Sequence, residues 1–334
     1  MTVPIIAFFN NKGGVGKTSL VYHLAWMYRN LGLRVLAADL DPQANLTAAF
    51  LDEERLEELW EANNRPNTVF RCIQPLVTGI GDIATPEVEH IEERLGLLVG
   101  DLLLSGFEYD LSAEWPGCTD RNEHSFRVIS AFWRLLQKAA EVHQADVVLT
   151  DLSPNLGEIN RAALIAANYV VVPLSPDLFS VQGLKYLGPT LRRWRQEWLE
   201  RLEKNPAPDL KLPQGQMQPV GYIVLQHSVR LDRPVKAYQR WIARIPNIYR
   251  EAVLNESENS TLSIAEDPHC LALLKYYQSL MPLAQEAHKP MFHLKPADGA
   301  IGSHIQAVQS VYGDFKKLAN KIAETVQIPI LTNF

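Results

Sequence analysis

A glycine-rich loop directly after a short apolar run is the feature that most constrains this sequence. The stretch reads FFNNKGGVGKTSL, from Phe8 to Leu20. The glycines allow the backbone to turn so that several N–H groups point into one concavity, and a helix beginning at the loop adds the positive end of its dipole. Strand, glycine loop and helix in this order predict a phosphate-binding site.

The side chains after the loop predict how a nucleotide and its metal ion are held. We expect Lys17 to reach the β- and γ-phosphate oxygens, the Thr18 hydroxyl to bind Mg²⁺, and Ser19 to donate to the α-phosphate. The common form of the loop has glycine five residues before its Gly-Lys pair, where this chain has Asn11. A strict pattern would miss the loop, although its glycines still supply the geometry. The candidate nucleotide-binding residues of the loop are Gly13, Gly14, Val15, Gly16, Lys17, Thr18 and Ser19.

Acidic residues follow two other apolar runs. Asp39 and Asp41 lie in VLAADLDPQANL, and Asp151 ends the run in ADVVLTDLSPNLG. In a doubly wound sheet, ligands bind beyond the carboxyl ends of the strands, and an aspartate at this place organises Mg²⁺ in phosphate-loop enzymes. The three aspartates are therefore candidates for the same site as the loop.

Apolar runs alternate with helical patterns along most of the chain, which is typical of a parallel sheet covered on both faces. We predict an α/β fold with a doubly wound, mostly parallel sheet and helices on both faces. We expect a single domain, residues 1–334, with an inserted excursion at about 51–121 that leaves room for a further strand. The expected strands are Val3–Phe9, Arg34–Ala38, Asp146–Thr150, Tyr169–Pro173 and Val220–Leu225.

The composition argues against several classes of protein. With 47% hydrophobic and 21% charged residues among 334, the chain resembles globular proteins with a substantial core. Its three cysteines form no Cys-x-x-Cys pair, which argues against a disulfide framework, a zinc site or an iron–sulfur cluster held by one chain. The start of the sequence lacks a secretory pattern, so we expect a cytoplasmic protein. The formal charge of −6 means that any nucleic-acid binding must come from a local basic patch.

Four motifs together resemble the ParA/MinD family of deviant Walker-A ATPases, and ParA more than MinD. They are NKGGVGKTS, DLDPQAN, DLSPNLG and AANYVVVPLSPDLFSVQGL, and the similarity covers Pro4–Phe50 and Asp146–Leu184. The resemblance implies a Mg²⁺-dependent ATP hydrolase that forms an ATP-sandwich homodimer and binds DNA non-specifically. It implies partition of a plasmid or chromosome, or positioning of another cargo, with a centromere-binding or cargo adaptor protein as partner and with association to the nucleoid.

The resemblance also implies roles for individual residues. Lys12, the early lysine of the loop, would touch the phosphates bound by the partner chain, so that dimerisation depends on the nucleotide. Asp41 would position the attacking water, and Asp39 and Asp151 would hold the water shell of the metal ion. The strand end VLQHS, at Gln226, would lie near the base of the nucleotide. It lacks the asparagine of some relatives, so the assignment of ATP rather than GTP as the nucleotide rests on the resemblance alone.

Two positions depart from the usual pattern of that family. Ala44 stands where glycine is usual in DPQGN, and Ser153 replaces the first proline of DxPP. We expect both changes to affect the flexibility of the loops more than the phosphate chemistry.

The stretch VRLDRPVKAYQRWIARIP, residues 229–246, has its own periodicity. A helix that ends at Pro246 would place an apolar face on the domain and a basic face opposite it. The basic face is a candidate contact for phosphate backbones, or an ordinary solvated face; the family resemblance favours DNA. The candidate DNA-binding residues are Arg233, Lys236, Arg240 and Arg244.

Other functions remain as alternatives. A MinD-like, membrane-associated ATPase would need a membrane-binding helix, but we expect the C-terminal stripe from Ile305 to Ile322 to close the core, with no membrane partner. A metal-cluster carrier related to nitrogenase iron protein lacks suitably placed cysteines. An amidoligase on the same fold would need a glutaminase nucleophile that the sequence does not show. The C-terminal stripe consists of Ile305, Val308, Tyr312, Phe315, Leu318 and Ile322.

Overall fold

The structure is a computed structural model that describes residues 2–61, 65–226, 235–256, 262–275, 277 and 279–330. For Gln226 and residues 235–238 it describes the backbone alone. The strands are β1 (Ile5–Phe8), β2 (Val35–Asp39), β3 (Glu89–Glu92), β4 (Leu95–Leu98), β5 (Val147–Asp151), β6 (Tyr169–Leu174), β7 (Gln218–Gln226) and β8 (Cys270–Lys275).

These eight strands of the described ranges form one sheet in the order β3-β4-β2-β5-β1-β6-β7-β8. Neighbouring strands are parallel except β3 and β4, which are antiparallel. The predicted α/β class with a mostly parallel sheet is therefore confirmed. The parallel strands all end at one edge of the sheet, and this edge carries the motifs predicted to bind the nucleotide.

Helices cover both faces of the sheet. Residues Ile5, Ala7 and Phe9 belong to one hydrophobic cluster and Ile6 and Phe8 to the other, because successive side chains of β1 point to opposite faces. The helices are α1 (Lys17–Asn30), α2 (Asn45–Phe50), α3 (Glu53–Glu61), α4 (Val69–Val77), α5 (Phe107–Thr119), α6 (Glu123–Ile129), α7 (Ala131–His143), α8 (Glu158–Ala166), α9 (Leu178–Leu202), α10 (Val235–Ile242), α11 (Ile245–Ile248), α12 (Met281–Glu286) and α13 (Ser303–Val326).

The helices divide between the two clusters. Helices α4 to α9 and α11 contribute to the first cluster, whereas α1, α2, α3, α12 and α13 contribute to the second. Both faces of the central strands are therefore shielded from water. This explains why those strands are apolar throughout, rather than alternating between apolar and polar residues. Within the described ranges, no helix has the length and apolar character needed to cross a membrane.

The predicted excursion at 51–121 supplies two strands as well as helices. Strand β4 pairs in parallel with β2, with Val35 opposite Leu95, and is buried. Strand β3 is the edge strand, and its side chains are alternately half-buried and exposed. The excursion thus extends the sheet at one edge, whereas the single-domain assignment stays a prediction.

The prediction of which residues of the C-terminal stripe are buried was partly wrong. In α13, Phe315, Leu318 and Ile322 are buried as expected, but Tyr312 and Ile305 are exposed. Val311 is buried in the place expected for Tyr312, because it shares a face with Phe315, Leu318 and Ile322 and the next residue lies about 100° further round the helix.

The basic stretch does not form one continuous helix. Helix α10 ends at Ile242, and Arg244 is the N-cap of α11. Pro246 lacks an N–H, and its ring would clash with the carbonyl of Ile242 if the helix continued. Arg244 therefore does not extend the face that carries Arg240.

Candidate nucleotide-binding site

The phosphate loop joins β1 to α1 and needs glycine at two positions. Gly14 has φ +70° and Gly16 has φ +83°, in the left-handed region that side chains other than glycine rarely adopt. Gly16 is the N-cap of α1, so the loop ends directly on the helix N-terminus. The backbone therefore has the form predicted for a phosphate cradle.

Neighbouring segments fix the position of the loop. Asn10 Nδ2 donates to the carbonyl oxygen of Pro173 at 2.6 Å, and Asn10 Oδ1 accepts from Lys12 N at 3.0 Å. In α9, a Cβ at Gly183 would lie 2.6 Å from Asn11 Oδ1, so this helix packs closely against the loop and a larger residue would displace the Asn11 side chain. Asn10 thus links the loop to β6.

Lys17, Thr18 and Asp151 meet at the start of α1. Thr18 Oγ1 donates to Asp151 Oδ2 at 2.6 Å. Lys17 is buried, with Nζ 3.5 Å from the carbonyl oxygen of Lys12. Residues from two distant motifs are therefore brought together at the edge of the sheet.

Burial perturbs the ionisation of this group. It lowers the pKa of Lys17, against the opposing influence of the carboxylates of Asp151 and Asp41. Burial also raises the pKa of Asp151, and the charge of Asp39 raises it further. Buried Asp151 Oδ1 has no hydrogen-bond partner within the described part of the chain. A hard cation would satisfy such an unpartnered carboxylate oxygen.

Asp39 is tied to α2 by hydrogen bonds. Its Oδ2 accepts from both the backbone N and the Oγ1 of Thr47 at 2.8 Å, and its Oδ1 accepts from Asp41 N at 3.2 Å. Gly100 N donates to Thr47 Oγ1 at 2.8 Å, which connects this group to the chain after β4. Burial raises the pKa of Asp39 to about 7, against the hydrogen bonds from Thr47. Asp39 therefore anchors α2 beside the site as well as facing Asp151.

Asp41 lies on the wall of the cavity that the loop opens into, and its Oδ1 accepts from Gln43 N at 3.0 Å. Ala44, which follows it, has φ +53°. The glycine usual at this position would adopt that conformation without strain, whereas a residue with a Cβ is strained there. The first departure from the family pattern therefore falls on a strained position at the start of α2.

The second departure, Ser153, takes part in a polar network. Ser153 Oγ accepts from Asn160 Nδ2 at 3.0 Å and from Asn155 Nδ2 at 3.2 Å. Asn160 Nδ2 also donates to the carbonyl oxygens of Ser153 and Asn155. Hydrogen bonds thus hold the loop after β5, where the family usually has a proline.

The loop opens into a cavity of about 730 Å³. Its lining includes Met281, Gln285 and Lys289, which the sequence reading missed. These residues follow β8, and ligands of such sheets bind beyond the carboxyl ends of strands. Recognising β8 as a strand would therefore have pointed to them. The remaining lining residues include the predicted loop residues Gly13, Gly14, Val15, Gly16, Lys17, Thr18 and Ser19, together with Asp41.

Lys12 is not among the residues that line this cavity. Its Nζ forms an ion pair with Asp177, and both side chains are about a third exposed, 28% and 31%. Asp177 also caps α9, because its Oδ1 accepts from Ser180 N at 2.9 Å. Lys12, the early lysine of the loop, is thus held by Asp177 outside the cavity.

Among the remaining candidates, Arg233 and the side chains of Gln226 and Lys236 lie outside the described residues. Gln226 is the last residue of β7 and pairs in register with Lys275. Arg240 and Arg244 are exposed, with their guanidinium carbons 5.7 and 5.3 Å from the ring of Trp241. Within the described part of the chain, neither forms an ion pair with a carboxylate.

Helix α9 carries another group of arginines, and two of them donate hydrogen bonds to backbone carbonyl oxygens. Arg192 donates to the carbonyl oxygens of Ala252 and Val253 at 2.7 and 3.1 Å. Arg195 donates to the carbonyl oxygens of Gln216 and Met217, both at 2.8 Å. These two side chains hold loops against α9.

Comparison with known proteins identifies relatives of this chain. A sequence profile described as an AAA domain matches residues 3–204, more than half of the chain. Protein IncC of Escherichia coli is 31% identical over 196 residues, 59% of this chain and 48% of IncC, so the match spans about half the length of that relative. The chromosome partitioning protein ParA of Caulobacter vibrioides is 30% identical over 199 residues, 60% of this chain and 66% of ParA.

A solved structure shows the same fold. The ATP complex of Cyanothece McdA matches with a TM-score of 0.63 at 16% identity, covering 99% of this chain and 99% of that chain. The phosphate loop, the two aspartate motifs, the sheet order and the family profile all agree. The chain therefore belongs to the ParA/MinD family of deviant Walker-A ATPases.

Proposed function

We propose that this chain is a ParA-like, Mg²⁺-dependent ATP hydrolase that drives partition of a plasmid or chromosome, or positions another cargo. The observation that carries the proposal is the meeting of Lys17, Thr18 and Asp151 beside the cavity of about 730 Å³. The similarity to IncC and to the chromosome partitioning protein ParA supports the biological role. The centromere-binding or cargo adaptor partner is part of the proposal and has no counterpart in the structure.

In the proposed chemistry, the loop N–H groups and Lys17 bind the phosphates of ATP. Lys17 is desolvated, so its charge acts on the β- and γ-phosphates in a medium where electrostatic interactions are strong. Asp41, on the cavity wall, orients the attacking water. Ser19 donates to the α-phosphate, while Gln226, Met281 and Lys289 bind the nucleoside end.

The residues at the start of α1 fit Mg²⁺. The Thr18 hydroxyl and the unpartnered Oδ1 of Asp151 are oxygen donors of the kind that Mg²⁺ prefers. Asp39 would act on the water shell, since three hydrogen bonds already occupy most of its carboxylate. When bound, the ion would neutralise charge that develops on the phosphates.

ATP also supports dimerisation in this proposal. A single loop neutralises only part of a triphosphate, and Lys12 lies outside its own cavity. We propose that Lys12 leaves Asp177 and contacts the phosphates bound by a second copy of the chain. The contact between Lys12 and ATP then forms only in the homodimer, so bound ATP stabilises the assembled pair.

A matched pair of lysine variants tests the site. Lys17→Ala should weaken ATP binding by about 10–100-fold, because a charge-assisted contact contributes about 1.5–3 kcal/mol, as measured by titration calorimetry with Mg²⁺. Lys12→Ala should bind ATP nearly as the unchanged chain does, but lose the ATP-dependent dimer in light scattering. Equal ATP affinity of Lys17→Ala and the unchanged chain would contradict the phosphate assignment.

We further propose that the dimer binds DNA through the basic residues of the 229–246 stretch, which act on phosphate backbones without reading bases. Arg240 and Arg244 support this part, because both are exposed and lack a carboxylate partner among the described residues. Arg233 and Lys236 belong to the proposal from their sequence positions. A dimer doubles the patch, and two weak patches on one duplex gain from effective concentration.

The double variant Arg240→Glu with Arg244→Glu should abolish DNA binding and preserve the ATP-dependent dimer. Binding of the unchanged chain should weaken with salt, with a logarithmic slope of about −0.9 for each phosphate contact. Lys316→Glu with Lys317→Glu on α13, also exposed, is the control with the same change of charge. If both double variants bound DNA equally well, the patch would be a solvated face. Binding to vesicles instead of DNA would favour the MinD-like alternative.

A further inference from the structure

The N-terminus of α8 is capped by a residue from another helix. The N-cap of α8, Gly157, has no side chain to accept hydrogen bonds. Instead Glu108, in the first turn of α5, accepts from Glu158 N at 2.6 Å through Oε1 and from Ile159 N at 2.8 Å through Oε2. A carboxylate at this position satisfies two orphan N–H groups and complements the helix dipole.

The loop before α8 lies against the phosphate loop. The Pro154 side chain lies 3.7 Å from the position that a Cβ on Gly13 would occupy. At the start of the same loop, Asp151 accepts from Thr18. The buried Asn160 pins the loop from the first turns of α8. The loop at 152–157 therefore connects the phosphate loop to the start of α8.

Helices α8 and α5 are also joined at a second point. The guanidinium carbon of Arg161 lies 3.7 Å from the ring centroid of Trp115 in α5. Together with the Glu108 contact, this fixes both the position and the direction of α5 relative to α8. The outer side of α5 is open, with Tyr109 80% exposed, and Leu102 and Leu103 are exposed just before it.

We propose that Glu108 is a positioning residue that couples the nucleotide-binding loop to the outer surface of α5. It holds the start of α8, and with it the loop at 152–157, in the position that catalysis requires. In the other direction, it carries a change at the phosphate loop to residues 102–111. This inference rests on the proposed function, since it takes ATP as the ligand of the cavity.

Hydrogen exchange on the 334-residue chain tests the coupling. In the unchanged chain, ATP with Mg²⁺ should slow amide exchange at Phe107–Leu111 as well as in the phosphate loop. Glu108→Gln keeps the shape but turns an amide N–H₂ toward a helix N–H, and should lose the effect at Phe107–Leu111. Its kcat should fall by about tenfold, because the start of α8 and the loop at 152–157 are no longer held by two hydrogen bonds to a carboxylate. Its affinity for ATP should stay within about twofold, because Lys17 and Thr18 are unchanged.

Two further variants separate positioning from simple destabilisation. Gly157→Ala keeps glutamate at position 108, but the added Cβ would overlap Glu108 Oε1 and displace the carboxylate from the helix N-terminus. It should reproduce the loss, and the two changes together should do no more than either alone. Glu114→Gln is the control on the same helix, because Glu114 accepts a hydrogen bond from Ser125 of α6 and caps no residue of α8 among those the structure describes.

The outcomes distinguish this inference from the proposed function. ATP binding without any change of exchange at Phe107–Leu111, or equal behaviour of Glu108→Gln and Glu114→Gln, would overturn the coupling alone. Failure of the unchanged chain to bind ATP in calorimetry would overturn the proposed function and the coupling together.

Discussion

His23 shows how a single buried side chain connects the nucleotide site to the rest of the molecule. Its Nδ1 donates to the carbonyl oxygen of Ser19 at 2.6 Å, and its Nε2 accepts from Met291 N at 3.1 Å. This arrangement requires a neutral ring with its proton on Nδ1. Burial lowers the pKa of His23 to about 4, despite the opposing hydrogen bond to Ser19.

We therefore predict that acid weakens the fold through His23. Below pH 6.5 the unfolded chain takes up a proton that the folded chain refuses until about pH 4, so stability falls as the pH drops across this window. The loss is about 3 kcal/mol in the free energy of unfolding. In urea titrations at several pH values, His23→Gln should lack this part of the slope, whereas the exposed His124→Gln should keep it. Equal slopes in both variants would remove His23 as the cause.

At the scale of residues, the sequence predicted where the motif residues lie. The phosphate loop and the three aspartates fall where their motifs place them, because loop conformation and strand ends follow from neighbouring residues. The hydrogen bonds around Asp39 could not be predicted, since Thr47 donates to Asp39 and Gly100 in turn donates to Thr47 through the tertiary fold. The role of Glu108 could not be predicted for the same reason, because Glu108 lies 50 residues before the helix that it caps.

At the scale of elements, α9 depends on a close contact with the π-helical turn Tyr249–Leu254. A Cβ at Gly188 would overlap the carbonyl oxygen of Ala252. The conformation of Gly188 in mid-helix imposes no need for glycine, so its small size allows the approach. The contact explains why a residue that is unfavourable in helices occurs in the middle of α9.

Two glycine variants provide a matched comparison. Gly188→Ala should destabilise the chain by about 1–3 kcal/mol, the usual effect of forcing an atom into a packed interior. Gly313→Ala in α13 meets nothing within 4 Å and should stabilise it by about 0.5–1 kcal/mol. Urea unfolding measures both. A Gly188→Ala variant as stable as Gly313→Ala would mean that α9 and the π-helical turn can separate without loss.

Elements with strong apolar runs were predicted well, and those defined by long-range pairing were not. Strands β1, β2, β5, β6 and β7 fall within one or two residues of their predicted positions. Strand β3 is polar and half-exposed, so it has no apolar run, and it exists through its pairing with β4. Strand β8 was missed, and with it the side of the cavity formed by Met281 and Lys289.

At the scale of the whole molecule, the excursion at 51–121 shares the sheet and the core with the nucleotide-binding motifs. Its strand β4 pairs with β2, and its helices α4 and α5 pack in the cluster that contains β1 side chains. We propose on this ground that residues 1–334 form one domain. Sequence alone could not decide this, because the pairing of β4 joins residues about 60 positions apart.

Calorimetry of the full chain tests the single domain. One heat-absorption peak should appear, and ATP at about 100 times its Kd should raise the whole peak by about 4 °C, since the ligand adds about 2.7 kcal/mol to the folded state. At the same ATP concentration, Lys17→Ala should show the peak with a shift of at most about 2 °C, because its affinity is about 10–100-fold weaker. Two peaks, of which ATP moves only one, would show that the excursion unfolds separately.

If the chain forms the homodimer proposed above, the ion pair between Lys12 and Asp177 opposes the association of two protomers. Two empty protomers that meet would each give up this pair and receive no phosphate in return. For a pair that is partly exposed, the cost is at most about 1 kcal/mol per protomer, or about thirtyfold in the association of two. In the proposed homodimer, two filled protomers would exchange each pair for contacts with a triphosphate, so the ion pair would make assembly selective for occupied sites.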